Sequence, residues 1–115
     1  MANSVMDKFE ITDRVCVITG GAGLLGDSHA RAVLSGGGIP VLLDISEQRL
    51  KEEKDRLTTD FPNGKVEIRL ADITDRKELE EVCGSLVEKY GHVDILINNA
   101  ANNPKVEGNS KNMGA

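Results

Sequence analysis

The sequence predicts an α/β fold, a doubly wound parallel sheet with helices on both faces. Three observations carry this. Short continuous apolar runs alternate along the chain with stretches of helical periodicity, the order that a parallel sheet with crossover helices demands. The first apolar run ends abruptly in a glycine-rich turn, Thr19-Gly20-Gly21-Ala22-Gly23. The third strand-like stretch alternates apolar and charged residues, as the edge of a sheet does.

Residues 1–13 form a polar lead-in. Val15-Cys16-Val17-Ile18 reads as a strand buried on both faces. A small-residue helix is expected from about Leu24 to Leu34, stopped by Gly36-Gly37-Gly38. Ile39 to Leu43 is a second buried strand, with Pro40 tolerated at its start. Ser46 suits the N-cap of a helix from Glu47 to Thr59. That helix has a thin stripe, Leu50, Leu57 and Phe61, which places it at the periphery. Pro62-Asn63-Gly64 marks a turn. From Lys65 to Leu70, the apolar Val66, Ile68 and Leu70 alternate with Lys65, Glu67 and Arg69, predicting an edge strand with one wet face. Thr74 is placed to cap the next helix, whose stripe is Leu79, Val82, Cys83, Leu86, Val87 and Tyr90. Val93 to Ile97 is a fourth apolar strand.

Right-handed crossovers then give the spatial order 3-2-1-4. The fourth strand carries no Lys, Pro or bulge signal on its free side, so it calls for a neighbour. The expectation is a chain truncated after this strand. Residues 14–101 would be a partial domain, and 102–115 an Asn- and Gly-rich loop leading to a missing C-terminal part.

Composition narrows the function classes. The 115 residues hold 14 basic and 19 acidic side chains, a formal net charge of −5. Such a balance argues against a nucleic-acid partner, which needs basic density. No apolar run approaches the roughly 18 residues of a membrane span, and no basic segment followed by an apolar run opens the chain. Cys16 and Cys83 lack metal spacing and read as buried apolar residues of a reducing compartment. A cytoplasmic protein with no membrane partner is expected.

Gly21-Ala22-Gly23-Leu24-Leu25-Gly26 matches G-x-G-x-x-G between a strand and a helix. In that context the first glycines permit the tight turn, Gly23 lets a pyrophosphate approach the backbone, and Gly26 lets helix and strand pack closely. The helix N-terminus adds free N–H groups and a positive dipole end. No Gly-Lys-Ser/Thr follows, so this is not a Walker-type loop. Asp44 ends the second strand, where a carboxylate accepts from the adenine ribose hydroxyls and repels a 2′-phosphate. The glycine loop holds no Arg or Lys, and Ile45, Ser46 and Glu47 follow Asp44. The expected cofactor is therefore NAD rather than NADP. Asp72, in Ala71-Asp72-Ile73-Thr74-Asp75, reads equally well as an acceptor for the adenine amino group or as a helix-capping acid. Asn98-Asn99-Ala100-Ala101 lies across the switch point from the glycine loop.

Thr19 to Gly26, Asp44, Ala71 to Asp75 and Gly91-His92-Val93-Asp94-Ile95-Leu96-Ile97-Asn98-Asn99-Ala100 together closely resemble the short-chain dehydrogenase/reductase family. The resemblance runs from about Ile11 to Ala101 and implies a Rossmann-like fold. It implies that Gly20, Gly21, Gly23, Leu24, Leu25 and Gly26 hold the pyrophosphate. Asp44, with Ile45 beside it, would hold the adenine ribose, and Asp72 and Ile73 would flank the adenine. Asn99, Ala100 and Ala101 would line the nicotinamide-side ribose, with Asn98 steadying the sheet. It further implies NAD(P)-dependent hydride transfer to or from an alcohol or ketone, a small-molecule substrate and a homo-oligomer.

Two departures keep alternatives open. Leu24 stands where the family's Thr-Gly-x-x-x-Gly-x-Gly pattern has its middle glycine. Glycines at 20, 23 and 26 match the extended branch of nucleotide-sugar epimerases and dehydratases, while Asn98-Asn99-Ala100 matches the oxidoreductase branch, with Ala101 in place of the usual Gly. An epimerase or dehydratase acting on a sugar nucleotide, or a non-catalytic dinucleotide-binding module, are the other readings. The family's catalytic Ser and Tyr-x-x-x-Lys are absent: the single tyrosine is Tyr90, and Asp94 stands four residues on. No catalytic residue and no metal site are expected in this segment. Tyr90 reads as core, and His29 and His92 as surface or loop residues.

Overall fold

A computed structural model of the chain describes residues 11–99. The predicted site residues Ala100 and Ala101, and the loop 102–115, lie outside the described residues. The elements run β1 (Val15–Thr19), α1 (Leu24–Ser35), β2 (Ile39–Asp44), α2 (Glu47–Asp60), β3 (Glu67–Leu70), α3 (Arg76–Tyr90) and β4 (Ile95–Asn98). All four strands are parallel, in the order β3-β2-β1-β4. This is the predicted order, and the fold is Rossmann-like. Val15 pairs with Ile39, Cys16 with Ile95 and Val41 with Glu67.

The period-2 alternation of β1 and β2 divides their side chains between two cores. Ile18 and Leu42 pack with Ala30 and Leu34 of α1 and with Leu50 and Leu57 of α2. Val15, Val17, Val41 and Leu43 face the other way, onto Leu86 of α3. Among the described residues no helix is long and apolar enough to cross a membrane.

Several local expectations need correction. The stripe of α2 is thin but not peripheral: Leu50 and Leu57 are fully buried, and between them Glu53 is buried too. The charged face of β3 is not wet. Glu67 and Arg69 are largely covered, and Glu67 accepts from the Tyr90 hydroxyl at 2.6 Å and from Lys89 at 2.9 Å, both on α3. A charged stripe can face a helix when that helix supplies its counter-ions. Tyr90, Lys89 and Arg69, the last at 2.8 Å, together hold the Glu67 carboxyl down at about 2 despite its burial. Tyr90 is thus a half-buried strut with a bonded hydroxyl rather than plain core. Thr74 does not cap α3. The cap is Asp75, whose Oδ1 accepts from the Glu78 N–H at 3.2 Å, while the Thr74 hydroxyl turns back to Asp72. Cys16 is buried, and burial pushes its thiol up, but Cys83 is only half-buried. His92 is exposed and bonds Asp94 at 2.6 Å, and His29 lies half-buried on α1.

Candidate dinucleotide site

The site sits where β1, β2 and β3 end, on the carboxyl edge of the sheet. Gly20 turns the chain with φ +66°, a left-handed conformation that costs a residue with a Cβ and is free to glycine. The Gly21 N–H donates to the Leu43 carbonyl at 2.9 Å, fastening the turn to β2, and Gly23 donates to the Gly20 carbonyl at 3.1 Å. The helix then starts at once, with the Asp27 N–H on the Gly23 carbonyl. A Cβ on Gly26 would lie 2.5 Å from the Gly20 oxygen, so helix and turn meet there without side-chain space. Around Gly23 the nearest atom to such a Cβ is 3.4 Å away.

No side chain caps α1 at Gly23. Its first-turn N–H groups therefore face outward with the positive end of the helix dipole, a ready anion site. Leu24 and Leu25 occupy that first turn and are exposed, Leu24 at 88%. Since Leu24 is already helical, the backbone makes no demand for glycine there.

Asp44 lies at the end of β2, half-buried beneath the turn. Its Oδ2 accepts from the Ala22 N–H at 3.2 Å, and its Oδ1 from Ile45 at 2.8 Å and Ser46 at 3.2 Å. A carboxylate has about four acceptor directions. Three are used by backbone, which fixes the group's orientation and leaves capacity for a further donor. Asp72 follows β3. Its Oδ1 accepts from the Thr74 N–H and hydroxyl at 3.0 and 2.6 Å, and these bonds, hydroxyl first, hold its carboxyl below the ordinary value.

An open groove of about 300 Å³ runs between these segments, lined by Gly20, Asp44, Ile45, Asp72 and Ile73 among others. Five residues singled out from three separate stretches of sequence therefore share one concavity, of a size usual for the lower end of small-molecule sites. Asn98 stands across from them at the end of β4, where its Oδ1 accepts from the Thr19 hydroxyl at 2.9 Å and so clasps β4 to β1. Asn99 follows it, outside the groove.

A family model described as short chain dehydrogenase matches residues 14–113. The chain belongs to the short chain dehydrogenase family. A short chain dehydrogenase/reductase of Gibberella zeae is 37% identical over 91 residues, covering 79% of this chain and 33% of that relative. A short chain dehydrogenase structure from Mycobacterium smegmatis aligns with TM-score 0.70 at 34% identity, covering 78% of this chain and 38% of that one. An NADPH-dependent 3-quinuclidinone reductase from Rhodotorula rubra aligns with TM-score 0.70 at 28% identity, over 84% of this chain and 36% of that one. The chain thus spans about a third of the length of these relatives.

Two features of this chain escape sequence reasoning. One is the partner through which Asn98 steadies the sheet, the Thr19 hydroxyl, which no motif names. The other is Arg49, which lines the groove from the first turn of α2. Its Nη2 reaches the Ala22 carbonyl at 3.4 Å.

Proposed function

We propose that residues 14–101 form the dinucleotide-binding part of an oxidoreductase that transfers hydride between a nicotinamide cofactor and an alcohol or ketone. The observation that carries this reading is the groove that gathers Gly20, Asp44, Ile45, Asp72 and Ile73 beside the uncapped start of α1. These residues suit the adenosine half of NAD: Asp44 for a ribose hydroxyl, Asp72 and Ile73 for the adenine, and the α1 N-terminus for the pyrophosphate. Gly23 suits the pyrophosphate as well, because the protein's own packing leaves the space over it unfilled. Asn99, Ala100 and Ala101 are proposed for the nicotinamide-side ribose. The nicotinamide supplies or accepts the hydride when bound. This segment contributes holding and orientation. No acid–base group for the substrate oxygen is assigned within it.

Relatives include an NADPH-dependent reductase, so the proposed preference for NAD rests on Asp44 and not on family membership. The substrate is proposed to be a small carbonyl or hydroxyl compound. The test is Asp44→Ala in the intact protein, with NAD and NADP titrated separately. A charged hydrogen bond to ribose is worth about 1.5–3 kcal/mol, so the loss should be about tenfold or more for NAD and smaller for NADP. Equal losses for both would remove Asp44 from the ribose.

A further inference from the structure

We propose that the Asp27–Glu53 carboxyl pair, set against the phosphate turn, is a proton-linked switch on dinucleotide binding: it holds one shared proton while a pyrophosphate is seated, and losing that proton weakens the hold. This rests on the dinucleotide reading above and adds regulation to it.

Asp27 lies in the first turn of α1. Its N–H donates to the Gly23 carbonyl at 2.9 Å, so it stands one turn from the N–H groups proposed for the pyrophosphate. Glu53 meets it from α2. Both line an open groove of about 330 Å³ that runs past Ala22, Gly23 and Leu24, and Arg49 lines both this groove and the adenosine groove.

The four carboxyl oxygens are arranged so that one proton completes them. Asp27 Oδ2 accepts from Arg31 at 2.9 Å, and Glu53 Oε1 accepts from Arg56 at 2.6 Å. The remaining two, Asp27 Oδ1 and Glu53 Oε2, are buried without a donor, and the two carboxyls bond one another. Two carboxylates in contact resist ionising together, and a proton between them removes the conflict. Burial and then the bond to Asp27 raise Glu53 to about 7, so the shared proton is exchanged near neutral pH.

The charges that face the pair are Arg31 from α1 and Arg56 from α2. Asp60 holds Arg31 from its other side at 2.6 Å, and Arg49 is turned to the Ala22 carbonyl at 3.4 Å. Arginines stay charged throughout this range. His29, two residues along α1 from Asp27, lies on a different face of the helix by its spacing. With the shared proton, Asp27, Glu53, Asp60, Arg31 and Arg56 form a neutral array. Without it the array carries one negative charge, a helical turn from a ligand group that is itself doubly negative. The pair is buried where salt screens it poorly. Repulsion on this scale weakens dinucleotide binding about tenfold, and by reciprocity a bound dinucleotide tightens the proton about tenfold.

NADH is titrated by calorimetry into the intact protein at pH 6, 7.5 and 9. Each pH is run in two buffers that differ in ionisation enthalpy, so that protons taken up on binding are counted. The wild-type dissociation constant rises about tenfold from pH 6 to pH 9, and binding at pH 7.5 takes up about half a proton. Glu53→Gln keeps a donor for Asp27 but cannot ionise, and Asp27→Asn keeps a donor for Glu53. Each variant holds one charge at every pH, so its dissociation constant stays within about threefold across the range and the proton uptake disappears. A wild-type dissociation constant that is flat with pH, or a slope and uptake that survive in either folded variant, overturns the switch and leaves the dinucleotide site standing. A wild type that fails to bind NADH at every pH overturns the site itself, and the switch with it.

Discussion

A methyl group added to Gly26 would meet the Gly20 carbonyl oxygen at 2.5 Å and the Gly21 Cα at 2.7 Å, both backbone. Added to Gly23 it would meet nothing nearer than 3.4 Å. Gly23 also has an ordinary extended conformation, φ −87° and ψ 178°. The two substitutions should therefore separate folding from binding. Gly26→Ala is expected to destabilise by about 1–3 kcal/mol, the range for overpacking that rigid backbone cannot relieve. Gly23→Ala should unfold within about 0.5 kcal/mol of wild type yet lose dinucleotide affinity about tenfold or more. Urea unfolding checks the first and calorimetric titration the second. A Gly23→Ala protein that binds as well as wild type would show that no ligand approaches the backbone there. The six-residue pattern is legible in the sequence, and so is its position between a strand and a helix. Which glycine serves packing and which leaves space for a ligand is not, because that depends on where Gly20 and Leu42 lie around the turn. Arg49 was hidden for a related reason: its nearness to Asp44 arises from the reach of a long side chain across a helix start, not from sequence spacing.

Helices α1 and α2 meet through a pair of acids that hydrophobic periodicity does not register. Leu50 and Leu57 mark the buried face of α2, but Glu53, one turn from each, lies on the same face and is 0% exposed. A charged residue there scores against burial in any sequence reading, which is why α2 looks peripheral on paper. The structure resolves the conflict by protonation. Asp27 Oδ1 and Glu53 Oε2 are both buried without a donor from the rest of the protein, and one shared proton satisfies them. Burial and then the bond to Asp27 raise Glu53 to about 7. The same bond, with Arg31, lowers Asp27. Between the ordinary Glu value of 4.5 and about 7, the folded protein thus holds a proton that the unfolded chain has released. Stability must then fall as pH rises through that window, by about 3 kcal/mol as an order of magnitude. Glu53→Gln keeps the shape and a donor for Asp27 but does not titrate. Urea midpoints at pH 5 and pH 8 should converge in the variant and differ in the wild type. An unchanged pH slope in Glu53→Gln would assign the dependence to other groups.

The arrangement of the sheet as a whole was open to sequence reasoning because each strand declares its surroundings in its composition. β1 and β2 are apolar up to their last residues, Thr19 and Asp44, and turn out central, and β3 alternates with charge and turns out to be an edge. What composition could not show was the partner of the charged side of β3. The alternating pattern is the same whether water or α3 covers it, and only the placement of Lys89 and Tyr90 beside Glu67 distinguishes the two. β4 poses the opposite problem. It reads as a central strand, yet among the described residues β1 is its one neighbour. Its two pleat faces are correspondingly bare: Leu96, on the side of Val17, is 58% exposed, and Ile95, on the side of Cys16, is 38% exposed. An apolar strand with unpaired backbone groups along one side is a template for pairing with another chain. Expressed as residues 1–115, the protein should therefore self-associate, with sedimentation coefficients that rise with concentration in the micromolar range. Leu96→Lys puts a charge on the bare face without touching the hydrogen-bonded register to β1, so it should shift the distribution toward monomer and leave the unfolding midpoint nearly unchanged. Ile45→Lys serves as the control, since Ile45 is comparably exposed but lies at the end of β2. If Ile45→Lys suppresses association as strongly as Leu96→Lys, the contact surface is the rim of the groove and not β4. If the unsubstituted chain stays monomeric at every concentration, the exposed strand is protected by a means that its pairing and burial do not reveal.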